Sequence, residues 1–127
     1  MKKEISTDAA PLPIGAYSQA MEAGGWVFVS GQIGLNLEGE LHVEAMAQVR
    51  QAFSNLLAVA QAAGLGLDHV VKLTIYLMDM GHFSLVNEEI TQRFHPPFPA
   101  RSVVQAAGLP RGALVEVEAI LCRDPGP

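Results

Sequence analysis

The strongest constraint on this chain is a change of hydrophobic period near its middle. Met46, Val49, Phe53, Leu56, Leu57 and Ala60 recur at helical spacing and form one apolar stripe. Gly64 is a suitable stop for that helix. From Val70 the period drops to two: Val71, Leu73, Ile75 and Leu77 take one face, and Lys72, Thr74, Tyr76 and Met78 take the other. A second helical stripe follows at Phe83, Val86, Ile90 and Phe94, closed by the proline-rich run His95-Pro-Pro-Phe-Pro99. Residues 101–106 and 114–122 read as two more strands, and Trp26-Val-Phe-Val-Ser30 as an earlier one. This order predicts an α+β fold: one mainly antiparallel sheet with two helices packed on one face. No repeat, linker or low-complexity segment interrupts the chain, so residues 1–127 read as a single domain.

That arrangement leaves one sheet face without helices. In the last strand Val115, Val117, Ala119 and Leu121 would lie under the helices, while Glu116, Glu118 and Ile120 point the other way. The middle strand adds Lys72, Thr74 and Tyr76 to this bare face, and the strand before the last adds either Arg101, Val103 and Gln105 or their neighbours. The mixture is less uniformly polar than a solvated antiparallel face. Two readings stand: a wet outer face with ordinary cross-strand pairs, or a face packed against another subunit with a partly buried polar site. Composition leans to the second. Half the residues are hydrophobic and only 17% are charged, against a usual share of about 25%.

The charge balance and the cysteine count narrow the partners. Thirteen acidic against eight basic residues give a net charge of −5, and the basic residues are dispersed rather than gathered into a stripe. Nucleic-acid binding is therefore disfavoured. The lone Cys122 has no internal disulfide partner and suggests a reducing compartment, so a cytoplasmic location is expected. The start, Met1-Lys2-Lys3-Glu4, does not read as a secretory signal, and the uncharged stretch 51–67 reads as a buried helix rather than a membrane span. His42, His69, His82 and His95 are scattered, with no metal-ligand spacing, and no phosphate-binding glycine motif occurs.

Three residues stand out for chemistry. Arg101 follows Phe98-Pro99-Ala100 and opens a strand, so its backbone is stiffened; a fixed guanidinium suits a planar carboxylate, although it equally suits a surface salt bridge or a cap. Glu116 lies in an otherwise apolar strand and can shuttle a proton or orient water if desolvated; alternatively it is the exposed partner of Lys72. Tyr17, in a segment bounded by proline and glycine, can close over a ligand or serve as a core aromatic.

Six segments together resemble the RidA/YjgF group of reactive-intermediate (enamine/imine) deaminases: Pro13-Ile-Gly-Ala-Tyr-Ser-Gln-Ala20, Ser30-Gly-Gln-Ile-Gly34, Val71-Lys-Leu-Thr-Ile-Tyr76, Val86-Asn87, Phe98-Pro-Ala-Arg-Ser-Val103 and Val115-Glu-Val-Glu-Ala-Ile120. The resemblance spans nearly the whole chain. It implies a chorismate-mutase-like fold and a homotrimer with a central barrel and ligand clefts between subunits. It also implies hydrolysis of 2-aminoacrylate and 2-iminobutyrate type intermediates to 2-oxo acids and ammonia without a cofactor. Arg101 matches the family's substrate-carboxylate arginine and Glu116 its acidic residue near the imine carbon; Tyr17, Ser30, Gly31 and Asn87 match the other cleft positions. Val103 departs from the pattern, since many members carry cysteine there, and an altered pocket volume is expected. The alternatives are an endoribonuclease or translation inhibitor, as described for some members, and a non-catalytic module that binds small carboxylates.

Overall fold

The structure is a computed structural model and describes residues 1–123. Six strands form one sheet: β1 (Lys3–Ile5), β2 (Ala20–Ala23), β3 (Trp26–Ile33), β4 (Val70–Leu77), β5 (Ala100–Gln105) and β6 (Val115–Cys122). Their spatial order is β1-β2-β3-β6-β4-β5. Every pairing is antiparallel except β4 with β5, which run parallel. Two helices, α1 (Ala45–Ala62) and α2 (Phe83–Arg93), supply the second layer. α1 packs on β3 and β6 and against α2. The expected α+β architecture is the one observed, with helices on one face of a mostly antiparallel sheet.

The core is the layer between sheet and helices. Val49, Ala52, Phe53, Leu56, Val59 and Ala60 of α1 are buried against Val27, Val29, Leu73, Ile75, Leu77, Val117 and Leu121. The helix stripe and the two-residue periods of β4 and β6 thus meet as expected. α1 stops where Gly64 adopts a left-handed φ of 76° and Leu65 N–H returns to the Ala60 carbonyl at 2.9 Å.

Two expectations are corrected. Val71 does not join the core face, because the β4–β6 register slips between Val70 and Lys72 and leaves Val71 41% exposed. Phe83 does not enter the core either; it begins α2 at the surface, 37% exposed. β1 and β2 are short additions at one sheet edge that hydrophobic periodicity does not mark.

Two features hold the sheet's site-bearing end. Buried Asn55 of α1 donates to the carbonyls of Ile33 and Leu35 at 3.1 and 2.9 Å, and buried Gln48 both donates to His42 O (2.7 Å) and accepts from Leu114 N–H (2.8 Å). Gly34 lets α1 approach this closely, since a Cβ there would lie 2.5 Å from the Gln48 Cα. Second, β3 carries one extra residue between Val29 and Gln32 relative to Val117–Ala119 of β6, a bulge at Ser30–Gly31.

Candidate functional site

The β3 bulge turns Gly31 toward the Glu116 side chain. A Cβ on Gly31 would lie 2.2 Å from Glu116 Oε2, so only glycine allows the carboxylate to rest there. Glu116 is half-buried and makes no ion pair among the described residues; Lys72 stands opposite Ile120, not Glu116. Burial pushes the Glu116 carboxyl above the usual carboxylate range, and the neighbouring Glu118 carboxylate pushes it further.

Glu116, Tyr17, Ser30 and Gly31 line one cleft of about 520 Å³, with Pro11, Leu12, Ile14, Ile33 and Leu35 as an apolar wall and Arg111 at its edge. Pro11, Leu12 and Ile14 of this wall come from the loop between β1 and β2, and one side chain organises that loop. Gln19, 2% exposed, donates to the carbonyls of Thr7 (3.1 Å), Ala10 (3.3 Å) and Pro11 (2.9 Å) and accepts from Thr7 N–H (2.7 Å). Ser30 adds a hydroxyl bond to Ser18 O at 2.6 Å, and Ile14 N–H points to Tyr17 Oη at 3.4 Å. Gln19→Ala is therefore expected to destabilise the fold by about 2–4 kcal/mol, since it strands several partners at once; urea unfolding measures it.

Arg101 lies elsewhere. With Asn87, Phe98, Pro99, Leu73, Ile90 and Thr91 it lines a second cleft of about 240 Å³. Its register with Leu73 turns it to the helix side of β5, as with Val103 opposite Ile75. Arg101 Nη1 donates to Asn87 Oδ1 at 3.0 Å and its guanidinium lies 5.0 Å above the Phe83 ring. The open question about β5 is thus settled: Val104, level with Tyr76, takes the bare face, and Arg101 does not. Arg101 bonds no carboxylate among the described residues, so the surface salt-bridge alternative does not describe it.

One chain consequently gathers Tyr17, Ser30, Gly31 and Glu116 in one cleft and Asn87 and Arg101 in another, while Val103, two residues past Arg101, packs against the core and lines neither cleft. β4 runs between the strands that carry Arg101 and Glu116, and the two side chains leave opposite faces of the sheet. Sequence reasoning missed Gln19 and Arg111. Arg111 holds a left-handed backbone (φ 61°) and donates to Gly39 O at 3.2 Å; a lone Pro-Arg-Gly in a loop carries no periodic signal. Among the described residues no three His, Cys, Asp or Glu side chains come together to hold a metal, and no helix is long and apolar enough to cross a membrane.

Comparison with known proteins places the fold and these residues in context. Residues 7–122 match the family model described as endoribonuclease L-PSP. The chain belongs to that family. It is the RidA/YjgF group that the sequence motifs resemble, and its solved members share the fold. RidA from the Antarctic bacterium Psychrobacter sp. PAMC 21119 is 43% identical, with a TM-score of 0.92 over 94% of this chain and 98% of that one. Escherichia coli TdcF, solved with bound serine, is 35% identical with a TM-score of 0.90 over 96% and 99%. A Dermatophagoides farinae relative named 2-iminobutanoate/2-iminopropanoate deaminase is 43% identical over 94% of this chain and 95% of its own length.

The RidA/YjgF pattern also makes Gly31 testable. Its nearest obstacle is the flexible end of Glu116, so Gly31→Ala displaces the carboxylate rather than the backbone. On the reading that Glu116 takes part in catalysis, the variant is expected to keep its thermal midpoint while losing about 10²-fold in turnover.

Proposed function

We propose that this chain hydrolyses enamine and imine intermediates of the 2-aminoacrylate and 2-iminobutyrate type to 2-oxo acids and ammonia. The observation that carries the reading is Glu116: a half-buried carboxylate, free of a cationic partner among the described residues, fitted over Gly31 in a cleft with one apolar wall. The naming of the full-length Dermatophagoides farinae relative as a deaminase supports it. The reaction runs in a cleft completed by a second copy, in a homotrimer whose bare sheet faces meet. Exposed Trp26, Phe28 and Val104 on that face support such packing.

In this assembly Arg101 of one copy holds the substrate carboxylate by two parallel hydrogen bonds, posed by Asn87 and Phe83. Glu116 of another copy receives a proton from water as the water oxygen bonds to the imine carbon. The C=N electrons move to nitrogen, which takes that proton back from Glu116. Glu116 then removes the proton of the new hydroxyl and passes it to the amine as the C–N bond breaks, so that ammonia leaves and the C–O electrons close the carbonyl of the 2-oxo acid. Tyr17, Ser30 and Gly31 shape the cleft around the reacting carbon, and Val103, packed against the core, backs the strand that carries Arg101. An imine carbon is already electrophilic, so neither a covalent nucleophile nor a cofactor is needed. A cytoplasmic location is part of this reading, supported by a lone free Cys122 that suits a reducing compartment.

The test couples the protein to a pyridoxal-phosphate dehydratase acting on serine and follows pyruvate release. Faster release with the protein present supports the reading; release at the spontaneous rate overturns it. The −5 charge and dispersed basic residues oppose the ribonuclease alternative.

A further inference from the structure

We propose that Glu118 and Tyr76 are positioning residues for Glu116: the phenol anchors the Glu118 carboxylate beside Glu116, so that Glu116 is the member of the pair that accepts and returns a proton. The proposal rests on the deaminase reading for its catalytic meaning, and on the geometry of the sheet for its substance.

Tyr76 of β4 stands directly opposite Glu116 of β6, yet its hydroxyl reaches along the sheet and donates to Glu118 Oε1 instead. Glu116 and Glu118 are two residues apart on one face, about 7 Å along the strand, so the two carboxylates repel. A carboxylate that accepts a phenolic hydrogen bond accommodates negative charge better than one that does not. Among the described residues Glu116 has no such donor; it is backed by Gly31 and the apolar wall. The proton that relieves the repulsion therefore settles on Glu116.

The other groups around Glu116 leave Glu118 as its anionic neighbour. From β3, Ser30 directs its hydroxyl to Ser18 O, and Gly31 and Ile33 carry no charge. From the β1–β2 loop comes Tyr17, which together with Lys2, ahead of β1, also lines the adjoining cleft that holds Glu118, and from the turn before β6 comes Arg111, whose guanidinium donates to Gly39 O. From β4 come Tyr76 itself and, farther along opposite Ile120, Lys72. The consequence agrees in direction with both groups. Burial and then Glu118 raise the Glu116 carboxyl, and the hydrogen bond to Glu118, followed by burial, raises the Tyr76 phenol. A carboxyl lifted toward neutrality is the better proton shuttle.

The test is a pH titration of side-chain carboxyls by ¹³C NMR in wild type, Glu118→Gln and Tyr76→Phe, with the Glu116 signal assigned from its loss in Glu116→Gln. Glutamine at 118 keeps an acceptor for the phenol but removes the charge, so the Glu116 midpoint is expected to move to lower pH. The acid limb of kcat/KM for 2-aminoacrylate should move with it, and the plateau should fall roughly 10-fold as the shuttle loses basicity. Tyr76→Phe leaves both carboxylates without the anchor, and Glu116 should then titrate in two coupled steps. A Glu116 midpoint unmoved by Glu118→Gln, or a wild-type titration in Tyr76→Phe, overturns the proposal. The NMR midpoint decides the positioning even if no imine is hydrolysed, a result that would instead overturn the deaminase reading.

Discussion

Arg101→Ala is expected to lower kcat/KM for 2-imino acids by about 10³-fold, mostly through KM, with little change in stability. Arg101 is exposed and bonds only Asn87 among the described side chains, so its removal opens no cavity and strands no buried partner. The loss falls on substrate carboxylate, which no longer has a planar two-donor clamp. Arg101→Lys should recover little, since an ammonium restores the charge without the fork. Steady-state pyruvate release in the coupled assay reads both variants. Arg101 and Glu116 also leave opposite faces of one sheet, which makes a sharper form of the test available. Mixed, dissociated and reassembled, Arg101→Ala and Glu116→Gln chains should regain wild-type clefts at roughly a quarter of the sites, as random pairing in a closed ring requires. Retained inactivity of the mixture would exclude a shared site.

Glu116→Gln should lower kcat by about 10²–10⁴-fold while leaving substrate affinity nearly intact. It should also stabilise the protein, and the pH dependence identifies the cause. The folded-state carboxyl lies above its ordinary range, so the folded protein binds the proton more tightly than the unfolded chain does. Stability therefore falls as pH rises from the ordinary carboxylate range through the raised folded value, and the full penalty is present above it. Glutamine removes that penalty. Thermal unfolding should show the variant ahead of wild type at neutral pH and level with it in acid, where both forms of residue 116 are neutral.

The parts of this structure that were legible in the sequence are those governed by neighbours along the chain. The stripe from Met46 to Ala60 and the alternation of Val115 to Leu121 each report a single buried face, so α1, β4 and β6 and the layering of helices on one sheet face followed. β1 and β2 were not legible as strands, because three- and four-residue edges derive their hydrogen bonds from partners far along the chain. Val71 misled for a related reason: its place in the alternation is regular, and the slip that expels it is a property of the pairing with β6. Arg101 and Glu116 were recognisable singly, by residue type and context. Their separation was not, because it depends on β4 lying between their strands. Gln19 is the clearest miss, a lone polar residue whose burial exists only after residues 7–11 fold around it.

The separation of the two clefts has a consequence for the life of the protein in time. A newly made copy holds Glu116 in one cleft and Arg101 in another, on opposite faces of the sheet. Under the proposed reading such a copy is catalytically silent until it meets its fellows. Specific activity should then depend on how much protein is present: dilution below the assembly's dissociation midpoint should extinguish it more steeply than in proportion to dose. Abundance itself would thus act as the threshold for activity.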